Sequence, residues 1–201
     1  MEWQLLPLSP LPPWLVSLVK AYLPDPQASG EFAAQLLWQR GLRERQQVLA
    51  FLDPDHYSPC SAWAFGPEME WAVDRLHQAL VHQEKVAIWG DFDADGVSAT
   101  AVLWEGLGQW FPPDDRLCFF IPDRLKESHG LSIHGLDSLA AQGVKLIVTC
   151  DTGCTNDREL AYAQTLGLEV IVTDHHTLAP QRPPVVALIN PRSFPPGHPL
   201  G

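Results

Sequence analysis

From residue 85 onward, short apolar runs alternate with longer stretches in which apolar residues recur every three or four positions. Runs such as Val86–Trp89 and Val170–Val172 are continuously apolar, which is typical of strands buried on both faces. The pattern predicts strand 85–90, helix 97–110, strand 117–121, helix 132–142, strand 145–149, helix 156–167, strand 169–173 and strand 185–189. Because strand–helix alternation indicates right-handed crossovers, the predicted fold class is α/β, with a parallel β-sheet flanked by helices.

The N-terminal part of the chain has a helical pattern instead. A short amphipathic helix is expected at Trp14–Leu23, and apolar residues at helical spacing extend over 31–52. A further helix is expected over Pro67–His82, where proline suits the first turn. We therefore expect a helical N-terminal segment, residues 1–84, that packs on a sheet domain of residues 85–201. The final residues have loop composition, so we expect the second domain to be truncated at its C-terminal end.

Three short acidic motifs directly follow predicted strands. They are Gly90–Gly96, which reads GDFDADG, Thr149–Gly153, which reads TCDTG, and Thr173–His176, which reads TDHH. Ligands of an open α/β sheet bind beyond the carboxyl ends of its strands, so the motifs would bring five aspartates and two histidines to one rim. Carboxylates that close repel one another, and a divalent metal is the simplest counter-charge.

The first motif places aspartates at alternate positions, Asp91, Asp93 and Asp95. An EF-hand loop would need a glutamate at its twelfth position, which is Val102 here, and would follow a helix rather than a strand. A solvated turn needs only one aspartate, whereas three at this spacing suit a hard divalent cation. Asp151 in the second motif has the alternative role of capping the helix that follows it.

The third motif adds imidazole to the carboxylates. Neighbouring side chains of an extended segment point to opposite sides, so one of His175 and His176 could bind metal while the other faces the substrate. A mixed carboxylate and imidazole set suits Mn²⁺, Mg²⁺, Fe²⁺ or Zn²⁺. The excess of carboxylates favours Mn²⁺ or Mg²⁺.

Composition and charge narrow the function classes. The formal net charge of -11 argues against a surface that coats nucleic acid non-specifically. The sequence has no P-loop, dinucleotide-binding, nucleophile-elbow or HExxH motif. The sequence has no apolar run of membrane-spanning length and no basic segment typical of a secretory signal. Its four cysteines form no CxxC pair. Together these features favour a cytoplasmic protein.

The motifs DxDxDG, DxG and DHH, each at a strand end, resemble those of the DHH phosphoesterase superfamily. The chain is also similar to the N-terminal part of RecJ-type single-stranded-DNA exonucleases, from about residue 31 onward. This second similarity rests on segments outside the three motifs, among them Arg40–Leu42, Phe51–Pro54, Pro122–Arg124 and Ile189–Pro191.

The resemblance implies a 5′-to-3′ exonuclease that acts on single-stranded DNA in repair and recombination and uses two ions of Mn²⁺ or Mg²⁺. In the family pattern, Asp93 and Asp95 each bind one metal and Asp151 bridges the two. His175 matches a metal ligand, whereas His176 matches a residue that faces the scissile phosphate.

Two further residues complete the candidate catalytic set. Asp91 belongs to the first motif, and Arg124 is a candidate, with His176, to neutralise charge on the phosphate oxygens. The sequence departs from many superfamily members at Trp89, where they carry a histidine, and a fourth motif with another metal-binding aspartate would lie beyond Gly201.

The expected partners are single-stranded DNA and, as a candidate, a single-strand-binding protein, with the chain as a monomer and no membrane contact. Two alternatives stay open from the sequence. One is a phosphodiesterase for short oligonucleotides or cyclic dinucleotides, and the other is an inactive fragment or scaffold module.

Overall fold

The computed structural model describes residues 8–195 and 198. These residues group into two compact units, one within Met1–Cys60 and a larger one that spans Ser61–Phe194. None of the helices in the described part combines the length and apolar composition that a membrane span requires.

The first unit is a small helical cluster. Its helices are α1 (Pro13–Ala21), α2 (Glu31–Gln39) and α3 (Arg45–Leu52). Leu15, Ala34 and Val48, one from each helix, are all fully buried in its core. The prediction of continuous helix over 31–52 is wrong in the middle, because the chain turns at Gly41 with φ of +89° and a capping box at Glu44 starts α3 afresh.

The second unit contains the sheet. In chain order its helices and strands are α4 (Pro67–Val81), β1 (Lys85–Gly90), α5 (Ala94–Leu107), β2 (Leu117–Phe120), α6 (Ile133–Ala141), β3 (Val144–Cys150), α7 (Asp157–Thr165), β4 (Glu169–Thr173) and β5 (Ala187–Ile189). All five strands are parallel in the order β2-β1-β3-β4-β5, which confirms the predicted α/β class. Helix α5 begins three residues earlier than predicted because the Asp93 side chain caps it by accepting from the Gly96 amide.

Both faces of the sheet are covered. On one face, Trp89 of β1 lies in an apolar cluster with Leu136 of α6 and Leu160 of α7. On the other face, Ile88 of β1 lies in a cluster with Ala79 of α4, and α5 packs against this cluster. Since α4 is part of the unit that contains the sheet, the compact units divide between residues 60 and 61. The proposed domain limits of 1–84 and 85–201 stay a prediction.

The strand register aligns the carboxyl ends of four neighbouring strands. Gly90 of β1 pairs with Cys150 of β3, which pairs with Thr173 of β4, which pairs with Ile189 of β5. The next residue along each strand, Asp91, Asp151, Asp174 or Asn190, therefore lies at the same level of the sheet rim. The three acidic motifs follow β1, β3 and β4, which are adjacent, and β1 and β3 flank the point where the strand order reverses.

Candidate metal centre

The first aspartate of motif one is buried and partnered by a histidine. Asp91 Oδ2 lies 2.7 Å from His129 Nδ1, and Asp91 Oδ1 accepts from the Phe92 amide at 2.6 Å. The His129 ring in turn packs on Phe92, with 4.2 Å between ring centroids. These contacts hold the loop that follows β2 beside the first motif.

The next two aspartates start helix α5. Asp93 Oδ1 accepts from the Gly96 amide at 3.0 Å, and this hydrogen bond holds the pKa of Asp93 below its usual value. Asp95 lies in the first turn of the same helix and is exposed. Gly96 is required by close approach, because a Cβ at this position would lie 2.6 Å from the Asp91 backbone nitrogen.

Asp151 occupies the centre of the rim in a left-handed backbone conformation with φ of +62°. Its amide donates to the Thr173 carbonyl at 3.0 Å, and its carboxylate, 6% exposed, lies 2.8 Å from His175 Nε2. Burial raises the pKa of Asp151, the contact with His175 opposes this rise, and the negative charge of Asp93 adds to it. A non-glycine residue at positive φ, buried beside another carboxylate, is a strained arrangement of the kind that clusters at functional sites.

The two histidines lie on the same side of the chain, so the expectation that they point to opposite sides is wrong. Their ring centroids are 4.5 Å apart. The reason is a tight turn in which Asp174 Oδ1 accepts from the backbone amides of both His175, at 2.7 Å, and His176, at 3.0 Å. A residue that turns in this way loses the alternation of an extended strand.

Asp174 also fixes the second imidazole. His176 Nδ1 lies 2.8 Å from Asp174 Oδ1, and this hydrogen bond raises the pKa of His176. Burial alone would raise the pKa of Asp174, but hydrogen bonds from the His176 and Cys154 amides outweigh it and hold the pKa below its usual value. Asp174 is thus an ionised acceptor that organises the motif from inside.

Two clefts open at this rim and share Asp151 and Asp174. One is lined by Asp95 and His175, and the other by Asp91, Asp93 and His176, among other residues. The central aspartate therefore has acidic neighbours on both sides, which is the placement that a carboxylate bridging two cations requires.

The donor chemistry fits divalent metal. Ligand atoms of Asp151, His175 and His176 all lie within 4.8 Å of one another. Carboxylate oxygens with one or two imidazoles suit Mn²⁺ or Mg²⁺, and a cation at this place would offset the charge that burial and Asp93 make unfavourable on Asp151. The individual ligand roles of Asp93, Asp95, Asp151 and His175 stay predictions.

The remaining predicted residues lie around this centre. Arg124 is exposed, with its guanidinium carbon 5.7 Å from the Phe92 ring centroid, so it borders motif one. Trp89 is fully buried, and its indole nitrogen donates to the Gly130 carbonyl at 3.3 Å. Trp89 therefore has a structural role in the loop that carries His129 and contributes no metal ligand.

Sequence reasoning missed two residues that follow β5. Asn190 is fully buried and its amide nitrogen donates to the His176 carbonyl at 2.9 Å, while Arg192 Nε donates to the His175 carbonyl at 2.8 Å. The signal was present, since Asn190 is a polar residue directly after an apolar run, as are Asp91, Asp151 and Asp174.

Comparisons with known proteins identify the family of the chain. The model of the DHH family, N-terminal domain, matches residues 85–197. The single-stranded-DNA-specific exonuclease RecJ of Bacillus subtilis is 40% identical over 162 residues, which is 79% of this chain and 20% of that protein. The RecJ of Thermus thermophilus is 33% identical over 186 residues, 91% of this chain and 25% of that protein.

Solved structures of RecJ proteins are also similar to this chain. A crystal structure of exonuclease RecJ bound to manganese matches 71% of this chain and 37% of that one, with a TM-score of 0.59 and 32% identity. The Mn²⁺ complex of RecJ from Thermus thermophilus matches 92% of this chain and 24% of that one, with a TM-score of 0.58 and 30% identity.

The chain spans about a fifth to a quarter of the length of the curated relatives it matches. The matched family model covers more than half of the chain, and the similarity to the RecJ exonucleases extends over most of it. The chain belongs to the DHH family.

Proposed function

We propose that this protein is a metal-dependent phosphodiesterase that degrades single-stranded DNA from the 5′ end. The observation that carries the proposal is the position of Asp151, a buried carboxylate between two acidic clefts that both open at the carboxyl edge of the sheet. The similarity to proteins named single-stranded-DNA-specific exonucleases supports the substrate class.

In this proposal the chain holds two ions of Mn²⁺ or Mg²⁺ at the rim. Asp95 and His175 line one cleft and Asp93 lines the other, with Asp151 common to both. When bound, the ions make a water molecule acidic enough to serve as the nucleophile and neutralise charge on the scissile phosphate. The manganese in the solved structures of relatives supports this choice of metal.

The side chains around the ions position the substrate and stabilise charge. His176 donates through Nδ1 to Asp174, which leaves Nε2 for a phosphate oxygen, and its raised pKa favours the protonated donor form. Arg124 is proposed to contact a DNA phosphate, and its position beside Phe92 agrees with that role. Asp91 is proposed to act through His129, to which its carboxylate is hydrogen-bonded.

The negative net charge of the chain also affects DNA binding. A polyanion approaching an acidic rim on a protein of net charge -11 is repelled until cations occupy the rim. DNA binding should therefore depend on divalent metal. We also propose that the protein is cytoplasmic and monomeric, with a single-strand-binding protein as a candidate partner, and the four free thiols agree with a reducing compartment.

The test is hydrolysis of 5′-labelled single-stranded DNA by the full-length protein with Mn²⁺. We expect early release of the label as a mononucleotide, and a loss of at least about 100-fold in kcat for Asp151→Ala and His175→Ala. Asp114→Asn is the matched control, because Asp114 has a φ of +63° like Asp151 but is exposed and outside both clefts. Full activity in Asp151→Ala would overturn the proposal.

Two other outcomes would identify the alternatives. Faster hydrolysis of dinucleotides than of long single strands would indicate a phosphodiesterase for short substrates. Absence of Mn²⁺ binding to the full-length protein in calorimetric titration would indicate a scaffold module.

A further inference from the structure

We infer that Asn190 is a positioning residue, which fixes the orientation of His176 through a closed ring of hydrogen bonds with Cys154 and Asp174. Asn190 follows β5 at the same level of the rim as the aspartates that follow β1, β3 and β4. The effect on catalysis rests on the proposed function, whereas the orientation of His176 follows from the hydrogen bonds alone.

The Asn190 side chain has all of its hydrogen-bonding groups engaged. The residue is fully buried. Its Nδ2 donates to the His176 carbonyl at 2.9 Å and to Cys154 Sγ at 3.0 Å, and its Oδ1 accepts from the Arg192 amide at 2.8 Å. A buried amide with both donors and its acceptor used has a single orientation, because any rotation leaves polar groups unsatisfied.

The other half of the ring runs through Asp174. The Cys154 amide donates to Asp174 Oδ2 at 3.0 Å, and Asp174 Oδ1 lies 2.8 Å from His176 Nδ1. The path Asn190, Cys154, Asp174, His176 therefore closes on itself. It joins the turn after β3, the turn after β4 and the end of β5 into one unit.

This ring determines where the imidazole of His176 points. The side chain is 57% exposed, so packing contributes little to its orientation. A carboxylate can only accept, so Nδ1 carries the proton in the hydrogen bond to Asp174 and Nε2 is the atom available to the cleft that Asp91 and Asp93 also line. Asn190 holds the backbone of His176, because its side-chain amide donates to the His176 carbonyl.

Loss of the Asn190 amide should therefore release the turn that presents His176. Without the donor to its carbonyl, the residue can rotate about its backbone and the hydrogen bond to Asp174 loses its alignment. The metal ligands have contacts outside this ring, since the Asp151 amide donates to the Thr173 carbonyl at 3.0 Å and the Asp151 carboxylate lies 2.8 Å from His175 Nε2. The defect should appear in His176 and in turnover, and not in metal affinity.

The experiment compares Asn190→Ala with a control from the same turn in the full-length protein. Ser193→Ala is that control, because the Ser193 hydroxyl donates to the Asn190 carbonyl at 2.7 Å and has no part in the ring. A second pair, Cys154→Ala and Cys154→Ser, probes the ring from its other side. Serine keeps an acceptor for the Asn190 amide and alanine does not.

Two kinds of measurement are made. The first is the set of ¹⁵N shifts of the His176 ring in ¹⁵N-histidine-labelled, Mg²⁺-loaded protein, which report whether Nδ1 is protonated and hydrogen-bonded to Asp174 and do not require activity. The second is kcat, KM and Mn²⁺ affinity with single-stranded DNA. We expect Asn190→Ala to lose the shift of a hydrogen-bonded Nδ1 and about tenfold or more in kcat, with KM and Mn²⁺ affinity changed less than about twofold. Ser193→Ala and Cys154→Ser should resemble the native protein.

Native ¹⁵N shifts for His176 in Asn190→Ala would overturn the inference, as would a loss of kcat in Ser193→Ala equal to that in Asn190→Ala. If Asn190→Ala does not fold, Cys154→Ala becomes the test variant. Native His176 shifts and native kcat in Cys154→Ala would then overturn the inference. If the native protein hydrolyses no DNA at all, the proposed function fails, but the ring shifts still test whether Asn190 orients His176.

Discussion

Replacement of Asp151 by asparagine should stabilise the metal-free protein and at the same time remove most of its stabilisation by Mn²⁺. Asparagine tolerates the φ of +62° at this position, and its Oδ1 can still accept from His175 Nε2. Burial raises the pKa of Asp151, and the charge of Asp93 adds to this, so the ionised carboxylate destabilises the folded state without metal.

The sign of the pH dependence follows from that raised pKa. Below the unfolded-state value of about 3.8 the Asp151 carboxyl is neutral in both states, and the variant gains nothing. As the pH rises from there through the folded-state pKa, the native protein loses stability that the asparagine variant keeps. The advantage of Asp151→Asn should therefore grow over that window and stay constant above it.

Bound Mn²⁺ should stabilise the native protein more than the Asp151→Asn variant. At free Mn²⁺ of 100 times its dissociation constant, binding to the folded state alone adds about 2.7 kcal/mol, or about 5–11 °C in Tm for a chain of 201 residues. If asparagine weakens binding about 100-fold, the same Mn²⁺ concentration adds only about 0.4 kcal/mol, or about 1 °C.

The assay is thermal unfolding of the purified protein at pH 7, with EDTA and with Mn²⁺. Asp114→Asn, a change at an exposed position with φ of +63°, should match the native protein in both conditions. A metal-free Tm for Asp151→Asn below that of the native protein would refute the electrostatic reasoning. A full Mn²⁺ shift in the variant would refute the placement of metal at Asp151.

Three further predictions concern other parts of the second unit. Gly96→Ala should lower stability by about 1–3 kcal/mol because its Cβ would clash with the Asp91 backbone. Gly106→Ala in the same helix has open space around it and should raise stability by about 0.5–1 kcal/mol. Denaturant unfolding measures both changes. Arg75→Met breaks two ion pairs of 2.7 Å and should lower stability by about 1–2 kcal/mol, with Mn²⁺ affinity unchanged in calorimetry. The effect is smaller than for a fully buried pair because the carboxylates left behind, Glu84 and Glu169, are 23% and 54% exposed. Arg124→Ala should weaken binding of single-stranded DNA and reduce the slope of log affinity against log salt by about 0.7, and an unchanged slope would remove Arg124 from the phosphate contacts.

The sequence was sufficient for the features that depend on neighbouring residues. The apolar runs before Asp91, Asp151 and Asp174 located three strands, and the acidic motifs at their ends indicated divalent metal and the DHH family. The helix break at Gly41 was missed although it is local, because apolar residues kept helical spacing on both sides of it. Periodicity records which face of an element is buried and is insensitive to a short turn between two helices that share a core.

Other features of the centre were decided by tertiary structure alone. The order β2-β1-β3-β4-β5 makes the three motif-bearing strands neighbours, and their register sets the motif aspartates and Asn190 level with one another. The same-side placement of His175 and His176 comes from a local turn around the Asp174 carboxylate, but that carboxylate is itself held by the Cys154 amide, 20 residues away. The pairing of Asp91 with His129 spans 38 residues.

The physical reason for this division is the range of the interactions involved. A strand buried on both faces is specified by a short run of consecutive apolar side chains, which the sequence alone determined for Val86–Trp89 and Val170–Val172. Strand order and the closed ring through Asn190 depend on which segments pack together across the sheet. Only the folded chain brings those segments to one rim, and the chemistry proposed here depends on that rim.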